Sequence, residues 1–171
     1  MLICVENNIE LTKRENMTPA IKVAKQSKII YKTHEYKHDA ANKSYGLEAA
    51  DKLGVASERV FKTLVVCTNN NDLLVAIIPV ATKLSMKLMA KASGVKKVEM
   101  ASPIAVERAT GYVLGGVSPL GQKKKLKTII DLSAQNHETI YVSAGRRGLD
   151  IELSALDLQN LVNGKFSAIT Q

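Results

Sequence analysis

Aromatic residues make up only 4% of this 171-residue chain, and tryptophan is absent. That scarcity counts against a nucleic-acid binder that works mainly by stacking bases on aromatic platforms. Cysteine is also scarce. Cys4 and Cys67 stand far apart, in neither a C-x-x-C nor a zinc-ligand spacing, so no metal site is expected from them. Cys67 closes an apolar strand and reads as a small packed hydrophobe. His34 and His38 are four residues apart. Residues 29–37 read as a strand, however, and no third ligand stands beside them there. No stretch of eighteen apolar residues occurs, so no membrane-spanning helix is predicted. The expected setting is reducing and cytoplasmic, with no metal and no membrane partner. Carboxylates are the minority charge: 16 Asp and Glu face 24 Lys and Arg, a formal net charge of +8. Such a surface favours polyanions, of which RNA is the commonest soluble one.

What is present is otherwise ordinary. Apolar residues at 46% and charged residues at 23% fit a globular protein. The length allows one domain with a real core. Residues 1–16 lack the basic-then-apolar order of a signal peptide. They read as an extension, an alternative start or a disordered tail. Met17-Thr18-Pro19-Ala20 then opens a helix, with Thr18 as cap and Pro19 in the first turn. The working domain is assigned to residues 17–171, with no internal repeat and no dividing linker.

Helices are predicted over residues 18–28, 46–53, 85–93, 102–109 and 154–161, most of them capped by Ser or Thr or stopped by Gly. Strands are predicted over residues 29–36, 60–68, 73–80, 97–100, 126–132, 139–143, 149–153 and 166–169. Asn69-Asn70-Asn71-Asp72 between two β-branched runs is a hairpin signal, and Gly145-Arg146-Arg147-Gly148 reads as a turn. Short strands and helices interleave without regular crossovers. The fold class is therefore α+β with a mixed sheet, not a doubly wound parallel sheet.

Three elements could carry chemistry. In Val60-Phe61-Lys62-Thr63-Leu64-Val65-Val66, alternation places Lys62 on one face with Val60, Leu64 and Val66. A buried ammonium must reach water, a carboxylate or a bound anion; equally, a lysine near a strand end can snorkel to solvent. In Gly115-Gly116-Val117-Ser118-Pro119-Leu120-Gly121, glycines bare the backbone N–H groups and proline stiffens the turn. Lys123, Lys124, Lys125 and Lys127 follow at once. Exposed amides beside cations suit an anion, or a carbonyl that gains negative charge; the same residues also make ordinary turns. Neither Walker spacing nor a Gly-x-Ser-x-Gly elbow is present. In the third element, Arg146 and Arg147 on a tight turn could fork onto phosphates. Asp150 beyond them could accept from a substrate amine or hydroxyl, or pair with a neighbouring arginine.

Taken in order, several motifs resemble the YbaK/EbsC family of aminoacyl-tRNA editing proteins, relatives of the editing domain inserted in bacterial prolyl-tRNA synthetases. They are Met17-Thr18-Pro19-Ala20, Tyr36-Lys37-His38-Asp39, Phe61-Lys62-Thr63-Leu64, Gly94-Val95-Lys96-Lys97-Val98-Glu99-Met100, Thr110-Gly111-Tyr112, Gly115 to Lys124, and Tyr141-Val142-Ser143 with Arg147-Gly148-Leu149-Asp150. Within that family the likeness is strongest to the Cys-tRNA(Pro) deacylases. The resemblance implies a mixed sheet curved into a partial barrel with flanking helices, and a pocket for the aminoacyl-adenosine end of tRNA. It assigns Lys62 to the substrate's charged backbone or terminal phosphate, and the Gly115 main chain to the scissile ester. Tyr36, Tyr45 and Asp150 fall on pocket positions. The Tyr45 position is often phenylalanine in relatives, so its ring acts as a wall.

Gly116 and Ser118 are taken as further substrate contacts. Lys123, Lys124, Lys125, Arg146 and Arg147 are taken as tRNA phosphate contacts. Two positions depart from the family's Gly-Gly-Lys-Arg-Gly turn: Ala144 replaces its first glycine and Arg146 its lysine. No activated protein nucleophile is evident. That agrees with the family's chemistry, in which the substrate's own thiol attacks its ester and releases a cysteine thiolactone and free tRNA. The expected substrate is Cys-tRNA(Pro), with Cys-tRNA(Cys) as a second. The implied partner is prolyl-tRNA synthetase, and no cofactor is implied. The alternatives are an Ala-tRNA(Pro) deacylase using water, and a non-catalytic module that binds tRNA or a synthetase.

Overall fold

A computed structural model describes residues 17–171; the extension read from residues 1–16, Cys4 included, lies outside them. Five helices are described: α1 (Pro19–Gln26), α2 (Tyr45–Leu53), α3 (Met86–Ser93), α4 (Pro103–Thr110) and α5 (Ala155–Val162). Their ends follow local chemistry. The hydroxyls of Thr18, Ser85, Ser102 and Ser154 accept from the backbone N–H groups of Ile21, Leu88, Ala105 and Asp157. Each such cap is worth about 1 kcal/mol. Gly54, Gly94 and Gly111 close α2, α3 and α4 in the left-handed conformation, which glycine adopts without steric cost.

Eight strands are described: β1 (Tyr31–Glu35), β2 (Phe61–Thr68), β3 (Leu73–Pro79), β4 (Val98–Met100), β5 (Lys127–Asp131), β6 (Ile140–Arg146), β7 (Leu149–Leu153) and β8 (Lys165–Ser167). The expected mixed α+β architecture is present, and its strands fall into two sheets. One is antiparallel, in the order β1-β7-β6; the other is mixed, in the order β4-β2-β3-β5-β8. In the mixed sheet, β3 pairs antiparallel with β2 and parallel with β5. The sheets meet where Val60 bridges Tyr141, and no closed barrel forms among the described residues. The turn expected at residues 145–148 is shorter than the sequence suggests. β6 continues through Ala144 and Gly145 to Arg146 over a bulge, leaving Arg147 and Gly148 as the turn.

The core explains the longest apolar run. Val75 and Ile77 of β3 pack with Ile130, Val142, Leu149 and Ile151. Their neighbours Leu74, Ala76 and Ile78 pack with Ile129, Met89 and Leu84 under α3. β3 is thus buried on both faces, and its sequence shows no polar alternation. A third cluster, Ala49, Ala50, Val60, Val80 and Tyr141, seats α2 against the junction of the sheets. Burying one such Ile, Leu or Val side chain contributes roughly 1.5–3 kcal/mol.

Candidate active site

A cavity of about 470 Å³ opens at that junction. Lys62 and Thr63 reach it from β2, Ser143 and Asp150 from β6 and β7, Tyr45 from the start of α2, and Gly115 from the glycine loop. Tyr36, just beyond β1, also lines it. The structure therefore brings Lys62, Gly115, Tyr36, Tyr45 and Asp150 to one chamber.

Lys62 resolves the choice left by its strand. Its Nζ donates to the carbonyls of Val80 at 3.3 Å and Thr82 at 2.8 Å. An ammonium has three donors, so one remains for a ligand. Burial pushes its pKa down, because desolvation disfavours the charged form. On the next residue of β2, the Thr63 hydroxyl is buried without a partner among the described residues. Such a group costs about 1–3 kcal/mol when left unpaired, so a ligand that reached it would gain by satisfying it.

Asp150 is 5% exposed, and burial pushes its carboxyl up to about 7. Among the described residues no salt bridge reaches it. The pairing with a neighbouring arginine that the sequence allowed is therefore not made. Arg146 donates to Glu35 at 2.7 Å, and Arg147 faces the glycine loop. Asp150 stands opposite Ser143 in the sheet register. Its charge also acts on Tyr36, whose pKa rises to about 12, chiefly through burial.

The glycine loop is held by its neighbours. Arg147 donates through Nε and Nη2 to the Leu114 carbonyl, at 3.0 and 2.8 Å. Peptides are planar and trans, so the Gly115 N–H points away from that carbonyl. No described residue accepts from the Gly115 N–H, and Gly115 lines the cavity. Its φ is +82°, and a methyl group there would stand 2.8 Å from the Tyr45 ring. Tyr45 in turn lies under the Arg147 guanidinium, 4.8 Å from its centroid, and beside the His38 ring at 5.6 Å. The segment before Tyr45 is tied by buried Glu48, which accepts from the Asp39 N–H at 2.7 Å and contacts His38 and Lys52. Burial opposes ionisation of Glu48, but these three partners outweigh it and hold the carboxyl near 2.

Other predicted residues lie elsewhere. Gly116 donates its N–H to Val113, and a methyl group there would stand 2.8 Å from the Arg146 Cα. Its glycine serves loop packing. Ser118 is fully buried, and its hydroxyl accepts from the Leu120 N–H; it braces a turn and does not line the cavity. Lys124 and Lys125 line a different cleft, and Lys123 folds its side chain beside Gly111. Arg147 is exposed, and its guanidinium contacts the loop carbonyl. The sequence assigns no role to Thr63 or Ser143: alternation sorts strand residues by face but does not show what a hydroxyl on either face meets.

The Lys62 ammonium, the buried Asp150 carboxyl and the Gly115 main chain thus line one small chamber. The sequence matches the family described as "Aminoacyl-tRNA editing domain" over residues 42–161. With most of the chain matched, the protein belongs to the aminoacyl-tRNA editing domain family. EbsC of Enterococcus faecalis, whose name assigns it Cys-tRNA(Pro)/Cys-tRNA(Cys) deacylase activity, is 41% identical over 158 residues, spanning 92% of this chain and 96% of its own. YwhH of Bacillus subtilis, of uncharacterised activity, is 28% identical over 111 residues, 65% of this chain and 70% of its own. The fold is shared with the hypothetical protein APE2540 (TM-score 0.81, 22% identity, 90% of this chain and 100% of that one). It is also shared with a protein described as a trans-editing enzyme for prolyl-tRNA synthetase (TM-score 0.77, 18% identity, 91% and 98%).

Proposed function

We propose that this protein is a freestanding editing deacylase that clears Cys-tRNA(Pro), with Cys-tRNA(Cys) as a second substrate. The observation that carries it is the meeting of the Lys62 ammonium, the Gly115 main chain and Asp150 in one cavity. The 41% identity to EbsC supports the choice of substrate.

In this mechanism the remaining Lys62 donor holds the terminal phosphate or charged backbone of the aminoacyl-adenosine end. Asp150 accepts from the α-amino group of the cysteine. The thiol sulfur attacks the ester carbonyl, a C–S bond forms, and negative charge grows on the carbonyl oxygen beside the Gly115 N–H. Collapse breaks the C–O bond, and the thiol proton ends on the ribose oxygen. The products are cysteine thiolactone and tRNA. The protein contributes positioning and charge stabilisation. A small pocket discriminates poorly between small side chains, whereas a reaction that needs a thiol spares Pro-tRNA whatever its fit.

Residues 17–171 form the editing unit, the setting is cytoplasmic, and prolyl-tRNA synthetase is the partner that generates the substrate. The test is a deacylation panel of Cys-, 2-aminobutyryl- and Ala-tRNA(Pro), with and without that synthetase. Loss of the cysteinyl ester alone is expected. Cleavage of the 2-aminobutyryl ester would demand water as nucleophile, and intact Cys-tRNA(Pro) at equimolar enzyme would exclude the activity.

A further inference from the structure

The glycine loop borders two clefts. Gly115 and Val117 line the first cavity, while Pro119, Leu120 and Gly121 line a second, of about 530 Å³. The far wall of the second cleft comes from Val23 of α1 and Leu161 and Val162 of α5. Its rim carries Lys124, Lys125 and Lys127, all exposed, and among the described residues its lining contains no carboxylate and no aromatic ring. Lys127 is engaged, donating to the Ser93 carbonyl at 2.8 Å. Lys124 and Lys125 take part in no salt bridge among the described residues. Their main chain is fixed, because the N–H groups of Lys123 and Lys124 donate to the Thr110 and Ala109 carbonyls at the end of α4.

We propose that this cleft holds the sugar–phosphate backbone of the same tRNA whose charged 3′ end enters the first cavity. The inference rests on the deacylase activity proposed above. Three lysines without a carboxylate attract phosphates. Lysine is a point charge without the planar fork of arginine, and a lining without rings offers bases nothing to stack on. The contact is therefore sequence-independent and positions the RNA without reading it. Distance permits one molecule to reach both clefts: six peptide steps separate Gly115 from Gly121, a span of at most about 22 Å.

The test compares wild type with the double variant Lys124→Gln/Lys125→Gln on two substrates, whole Cys-tRNA(Pro) and 3′-cysteinyl-adenosine, which lacks the arm. On whole tRNA, KM should rise about tenfold at physiological salt with kcat retained. The slope of log KM against log salt should become shallower by roughly 1.4–1.8, for two lost phosphate contacts. Kinetics on cysteinyl-adenosine should follow wild type. An unchanged KM and salt slope on tRNA would overturn the proposal. So would an equal loss on both substrates, or weakened binding to prolyl-tRNA synthetase with tRNA kinetics intact, which would make the cleft a protein interface. If wild type cleaves neither substrate, the deacylase assignment fails separately. Anisotropy with uncharged tRNA then decides the cleft: the double variant must show the shallower salt slope, and equal slopes sink the proposal.

Discussion

Arg147 grips the Leu114 carbonyl with two guanidinium N–H groups, at 3.0 and 2.8 Å, while its plane covers the Tyr45 ring. The arginine reaches no part of the cavity itself. It sets the peptide plane whose other edge is the Gly115 N–H. In the proposed mechanism it is a positioning residue, acting through one peptide bond.

Arg147→Lys should separate charge from geometry. Lysine keeps the cation but cannot fork onto one carbonyl oxygen. We expect kcat on Cys-tRNA(Pro) to fall about ten- to a hundredfold with KM within about threefold, since the lost interaction serves the developing oxyanion. A rise in KM at constant kcat would show that Arg147 serves binding instead.

Lys62→Ala should lower kcat/KM by about 10²–10³, the range for removing one electrostatic stabiliser, with the fold intact by circular dichroism. Lys62→Met fills the same space but leaves the Val80 and Thr82 carbonyls without their donor, so its thermal midpoint should fall modestly while the fold is kept. Wild-type turnover in either variant would remove Lys62 from the site.

Asp150 gives a stability signature with a definite sign. Its carboxyl ionises near 3.8 unperturbed and near 7 when folded. The folded state binds the proton more tightly, so its stabilising contribution is complete below pH about 4 and is lost as pH rises through about 7. Urea unfolding from pH 4 to 8 should show wild type losing up to ~4 kcal/mol relative to Asp150→Asn. Parallel profiles would mean that the carboxyl is not desolvated.

Tyr45→Phe should keep near wild-type activity, because what Arg147, His38 and Gly115 touch is the ring. Gly115→Ala should lose both activity and about 1–3 kcal/mol of stability, since it forces a methyl group into that ring at a positive φ. If Tyr45→Phe alone abolished turnover, the hydroxyl would have a chemical role.

Sequence reading served best where the physics is local. Helix ends were legible because a capping hydroxyl or a closing glycine acts within four residues. Lys62 was legible because an ammonium in an aliphatic strand demands a partner. Ser118 was misplaced because a polar residue in a glycine loop looks the same whether it faces a ligand or braces a turn. The task of Arg147 was hidden, since its carbonyl partner lies 33 residues away. The division into two sheets was hidden for a similar reason: β1 and β7 meet through residues such as His34 and Glu152, 118 positions apart.

That long-range pairing has a consequence for the protein's birth. Asp150 belongs to a strand that closes against β1, while Lys62 belongs to the other sheet. On the ribosome, the proposed chemical centre therefore stays open until the segment through Leu153 has emerged. No nascent fragment ending before β7 can be active, and truncation there should yield an inert polypeptide rather than a weakened enzyme.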